Sequence, residues 1–127
     1  MNLEKVVFGF FIVLAASLNF GFFIGDIDNT AHHEIYELFL AIVVNLIATV
    51  LKFGDRTQIG AIHLATSLVA DLQLIGAAIY WAYAVHVLGP ALTPTAMASI
   101  VSLAAGAMLA NVVSVVILIA ETVMMRR

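Results

Sequence analysis

Four long apolar stretches alternate with short polar breaks along the chain: residues 6–24, 34–53, 57–88 and 95–125. A helix rises ~1.5 Å per residue and needs ~20 residues to cross ~30 Å of hydrocarbon, so each stretch is long enough to span a bilayer. The last two exceed that length and have room to tilt. The break KFGDRTQ contains Gly54 and Asp55 as helix breakers and Thr57 as a cap, while Gly89, Pro90 and Pro94 separate the last two stretches. The pattern predicts an all-α polytopic membrane protein, one domain over 1–127 with four transmembrane helices. The first stretch follows Lys5, as a signal peptide would. It is longer than the usual ~7–15 apolar residues, and NFGFFIGD lacks an A-x-A cleavage pattern, so it is read as a retained helix.

Within the third stretch the polar positions fall on one side. At about 100° per residue, His63, Thr66, Ser67, Ala70, Ala77 and Ala78 share a face, with Asp71 and Gln73 at its edges. Leu64, Leu68, Leu72, Ile75 and Ile79 take the other. The second stretch has its own stripe of Glu34, Ala41, Asn45, Ala48, Thr49 and Lys52, with Glu37 at its margin. The fourth carries a small-residue seam of Ser99, Gly106, Ala107, Ala110 and Ser114 that continues to Glu121. Gly106 and Ala110 form a small-xxx-small pair, which suits close helix packing within a subunit or between subunits. Asn111 lies near the depth of Asn45 and Asp71, placing the three in one polar layer. Asn19 is expected to hydrogen-bond a neighbouring helix.

Asp71 changes the picture most. A carboxylate at the bilayer centre costs at least ~2.5–3.5 kcal/mol and normally faces a bundle interior or a water-filled path. No Lys or Arg occurs between Arg56 and Arg126 to pair with it. His63 is ~12 Å away along the same helix, too far for direct contact.

Composition agrees with a membrane class: 64% of residues are hydrophobic, 10% are charged and the mean hydropathy is +1.13. Soluble domains average ~25% charged. There is no basic patch for nucleic acid. Cysteine is absent, which excludes disulfides, thiolate metal sites and cysteine nucleophiles. No intramembrane carboxylate pair, Ser/His/Asp set or H-E-x-x-H pattern supports an enzyme, and no cofactor is expected. All five basic residues (Lys5, Lys52, Arg56, Arg126 and Arg127) map to one side of a four-crossing topology, which predicts that both termini are cytoplasmic. Tyr36, Tyr80, Trp81 and Tyr83 would then form an outer aromatic belt.

The first break holds Asp26, Asp28, His32, His33, Glu34 and Glu37. Its spacing is neither an EF-hand nor a helical zinc pair, so His32 and His33 are only candidate metal ligands. The four acids are expected to attract cations by their field.

Stretches such as NFGFFIGDIDN, NLIATVLKFGDR and ATSLVADLQLI resemble a family of small, uncharacterised, four-helix bacterial inner-membrane proteins. That resemblance implies a multi-pass protein of the cell inner membrane and implies no function. From the residues, the first expectation is a homo-oligomeric cation channel in the lipid bilayer. The acidic outer loop would be its vestibule, and the ion path would use Asp71, Asn45, His63, Thr66, Ser67, Gln73 and Thr49. The alternatives are a proton- or cation-coupled small transporter, with Asp71 the protonation site and His63 a relay, or a non-conducting accessory subunit of a larger membrane complex.

Overall fold

The computed structural model describes residues 3–24, 35–88 and 93–125. Four helices account for nearly all of them: α1 Leu3–Phe23, α2 Ile35–Lys52, α3 Gln58–Tyr83 and α4 Pro94–Met125. Ala84–Leu88 prolongs α3 as a π-helical turn. No strand occurs among the described residues. All four helices are long and apolar enough to cross a membrane.

Each helix packs on its neighbours in the chain, and α4 closes the ring against α1. Diagonal contacts run through the bundle axis, as where Phe8 of α1 meets His63 of α3 edge-on, with ring centroids 5.0 Å apart. Leucines, valines, isoleucines and phenylalanines cover the outside; Leu72, Phe39 and Leu109 are among the most exposed. In water such a surface would be untenable. Against lipid tails it costs nothing, and the helices are held by packing and interhelical hydrogen bonds instead.

The end bearing Lys5, Lys52 and Arg56 is termed the basic end below. The interior differs between its two halves. Away from the basic end it is a close-packed apolar layer around Phe22, Leu38, Leu74, Met97, Ile100 and Val101. Trp81 packs on Phe22 there, with ring centroids 6.1 Å apart. Toward the basic end the buried positions are mostly polar.

Two caps fix the helix starts. Thr57 is extended and its hydroxyl accepts from the Gly60 amide at 2.9 Å. Thr93 does the same for α4, accepting from the Ala96 amide at 3.1 Å, with Pro94 in the first helical position. Asp55 accepts from both the Thr57 amide (2.9 Å) and the Thr57 hydroxyl (2.7 Å). Those bonds, with Lys52 beside them, lower the Asp55 carboxyl to about 2 from its usual 3.8. Its folded value lies below its unfolded value, so the stability it contributes is present above about pH 4 and is lost as pH falls through about 2. Asp55→Asn is expected to remove that acid-dependent loss and to cost on the order of 1 kcal/mol at neutral pH, less than the lowered carboxyl alone implies because the group is partly open to solvent. Unfolding curves of both proteins between pH 7 and pH 2 measure it. Parallel pH profiles would sink the assignment. Gly60 belongs to the same device, because a Cβ there would collide with the Asp55 carboxylate.

Candidate functional site

The polar stripes of α2, α3 and α4 converge inside one bundle. Asp71 is 5% exposed and its carboxylate is held by α2: Asn45 Nδ2 donates to Oδ1 at 3.1 Å, and Thr49 Oγ1 lies 2.5 Å from Oδ2. Thr49 Oγ1 also lies 2.9 Å from the Asn45 carbonyl oxygen, one turn back. From across the axis, Asn111 of α4 donates to Asn45 Oδ1 at 3.0 Å. Three helices are thus cross-linked by one polar layer at about mid-height. Asn45 and Thr49 lie four residues apart, one helical turn, which lets both reach the same carboxylate.

Two more α3 residues extend this layer toward the basic end. Ser67 and His63 are one and two turns from Asp71 on the same face, and both are fully buried. His63 Nδ1 is hydrogen-bonded to Ser114 Oγ of α4 at 2.7 Å. His63 Nε2, Ser67 Oγ and Asn111 Oδ1 have no partner among the described residues. Such groups are costly to bury unless they serve a purpose.

A cleft of about 890 Å³ opens at the basic end. Its walls include Lys5, Lys52, Arg56, Glu4, Asp55 and Glu121, with Phe8 at the floor. Lys5 pairs with Glu121, joining α1 to α4. Lys52 is almost buried; its ammonium lies 3.3 Å from Asp55 Oδ2 and 4.2 Å from the centre of the Phe8 ring. Phe8 therefore stands between the cleft and His63. The polar file runs from this cleft, past Phe8, through His63 and Ser67 to Asp71, and meets the apolar layer beyond.

Of the residues expected on the ion path, Asp71, Asn45, Thr49, His63 and Ser67 come together. Thr66 does not join them: it is half-buried and its hydroxyl donates to its own helix at the His63 carbonyl, 3.0 Å. Gln73 also stands apart, with its amide packed over Gly106 of α4. Asn19 is fully buried and clamps α4, its amide donating to the Ala104 carbonyl and accepting from the Met108 N–H, both at 3.0 Å, in the orientation that satisfies both atoms. Glu37 is half-buried, with its carboxylate over Gly21 of α1. Asp26, Asp28, His32, His33 and Glu34 lie outside the described residues. Among the described residues no three His, Asp or Glu side chains gather as a metal site. The Lys5–Glu121 pair and the Phe8 floor had no periodic signal, since both depend on how α1 docks.

The fold and this layer define a small multi-pass membrane protein with an ionisable group inside a four-helix bundle. The chain belongs to a family of unknown function, DUF6394, whose signature matches residues 32–122. The matched segment carries every member of the Asp71 layer. No curated protein and no solved structure matches the chain.

Proposed function

We propose that the chain is a proton- or cation-coupled membrane transporter in which Asp71 is the ion-binding site. The file from the basic-end cleft is its access route. The observation that carries this is the placement of Asp71 at the inner end of that file, held by one amide and one hydroxyl and, among the described residues, with no ion pair. A carboxylate without a cationic partner at that depth is costly, and the cost is offset if the site takes up a positive ion. The sequence alone suggested a homo-oligomeric cation channel. The burial of Asp71, Asn45, His63 and Ser67 inside one bundle supports a route within each subunit, so a homo-oligomer would carry one route per copy. By the positive-inside rule the basic end faces the cytoplasm and both termini lie there, in the cell (inner) membrane.

Purified protein in liposomes tests this, with H⁺, Na⁺, K⁺ and Ca²⁺ gradients imposed in turn. The parent is expected to move at least one of these ions, and Asp71→Asn to fall to the level of protein-free vesicles while keeping its helical content. A parent that moves none of them would leave the polar layer as a structural cross-link and favour an accessory subunit.

A further inference from the structure

We propose that the ion bound at Asp71 is a proton, and that the Thr49 hydroxyl is the switch that lets it come and go. This rests on the reading of Asp71 as an ion site and names the ion.

The Thr49 hydroxyl has one hydrogen and two oxygen neighbours. Thr49 Oγ1 lies 2.5 Å from Asp71 Oδ2 and 2.9 Å from the Asn45 carbonyl oxygen. A hydroxyl has one hydrogen and two lone pairs, so it donates to one of these oxygens at a time. With Asp71 ionised, Thr49 donates to Oδ2, Asn45 Nδ2 donates to Oδ1, and the Asn45 carbonyl keeps the amide donor of its own helix. With Asp71 protonated at Oδ2, the acid donates to Thr49 Oγ1 and the Thr49 hydrogen turns to the Asn45 carbonyl. Asn45 Nδ2 still donates to Oδ1, and Asn111 still donates to Asn45 Oδ1. Each state satisfies both carboxyl oxygens and the hydroxyl. They differ by one O–H bond at Oδ2 and one rotation of a hydroxyl hydrogen, and no heavy atom moves.

A metal cation fits this arrangement poorly. Hard cations take oxygen ligands, about six to eight for Ca²⁺. Here each Asp71 oxygen faces a hydrogen donor, and the nearest amides turn their nitrogens, not their oxygens, along the chain toward it.

The proton arrives from, and returns to, water in the basic-end cleft. Ser67, with a buried unpartnered hydroxyl, lies on the same face of α3 one turn nearer that cleft. Toward the basic end the charged and titratable groups on the packed elements are His63 on α3, Lys52 on α2, Glu121 on α4, and Glu4 and Lys5 on α1. Glu37 on α2 and Tyr80 on α3 lie toward the other end, and none of these is bonded to Asp71.

Infrared difference spectroscopy of the protein in lipid nanodiscs, cycled between acid and alkaline buffer, reads the carboxyl group directly. One protonated-carboxyl band is expected to appear and vanish reversibly, to be missing in Asp71→Asn, and to be the same in Na⁺, K⁺ and Ca²⁺ salts. Thr49→Ser keeps the hydroxyl and should cycle like the parent. Thr49→Val leaves the carboxylate one donor short and should hold Asp71 in a single form over the same range. A band that never changes, or one that follows the metal ion at fixed pH, overturns the proton assignment. Thr49→Val cycling like the parent, or Thr49→Ser failing to cycle while folded, overturns the switch. The transport reading stands or falls separately. Asp71-dependent flux with a metal-dependent band keeps transport and removes the proton. A proton-cycling band in a protein that moves no ion does the reverse.

Discussion

Asn45→Leu is expected to cost about 1–3 kcal/mol, more than Asn19→Leu or Thr66→Ala. Asn45 carries two interhelical bonds, one to Asp71 and one from Asn111. Bonds of this kind in membrane proteins average ~0.6 kcal/mol and reach ~1.7, so two of them span that range. The comparison with Asn19 shows why Asn45 should matter more. Asn19 also makes two bonds, but its partners, the Ala104 carbonyl and the Met108 N–H, are four residues apart on one helix and can bond each other when it is removed. Asp71 and Asn111 have no such fallback. Unfolding by added denaturing detergent in bicelles measures the difference, with Thr66→Ala, which loses only a bond within its own helix, as the near-neutral control. A smaller loss for Asn45→Leu than for Asn19→Leu would show that the Asp71 layer is not the main tie between helices.

Gly106→Leu is expected to be comparably costly, about 1–3 kcal/mol, for a steric reason. A Cβ at Gly106 would stand 2.6–2.9 Å from the Gln73 amide, closer than real side chains sit. Because the amide is the far end of a flexible chain, Gly106→Ala should cost much less. Leucine adds three more carbons to the contact between α3 and α4, where Gln73 Oε1 is already buried without a partner. Pairing Gly106→Leu with Gln73→Ala should restore part of the loss, since the shorter side chain leaves room. Detergent-induced unfolding of the two single variants and the double variant gives the coupling. Subunit count should stay that of the parent, because the collision lies within one chain. A fall in subunit count with unchanged unfolding would instead place the seam between copies.

The number and extent of the helices were legible because membrane spans are written in length and hydropathy. Thr57 was legible as a cap because its type and position before an apolar run are sufficient. The layer of Asp71, Asn45 and Asn111 was legible in depth: counting residues from the basic end puts all three near the same height. What the residue count could not supply was direction. A polar face on α3 serves equally for an oligomer axis or for the interior of its own bundle, and only the packing of α2 and α4 against it decides. Thr49 illustrates the point, since its stripe was visible while its contact with Asp71 depends on the rotation of α2 relative to α3. Thr66 and Gln73 lay on or beside the face by angle, yet one turned back to its own backbone and the other found the gap at Gly106. Glu121 was visible on the α4 seam and Lys5 among the basic residues, but their pairing beside Phe8 left no signal because it depends on α1 closing against α4.

The division of the bundle into a polar half and an apolar half also has an electrical meaning. Membrane voltage falls most steeply where polarizable groups and water are scarce, which here is the layer of Phe22, Leu38, Leu74, Met97 and Ile100. Asp71 sits at the near edge of that layer, at about mid-height, so a charge reaching it from the basic end crosses only part of the field. The remaining step, through the apolar half, crosses the rest, and moving one elementary charge through a full 100 mV is worth about 2.3 kcal/mol. If Asp71 exchanges an ion as proposed, loading from the basic end and passage to the far side would each carry a share of the voltage dependence, the second share falling on this apolar layer.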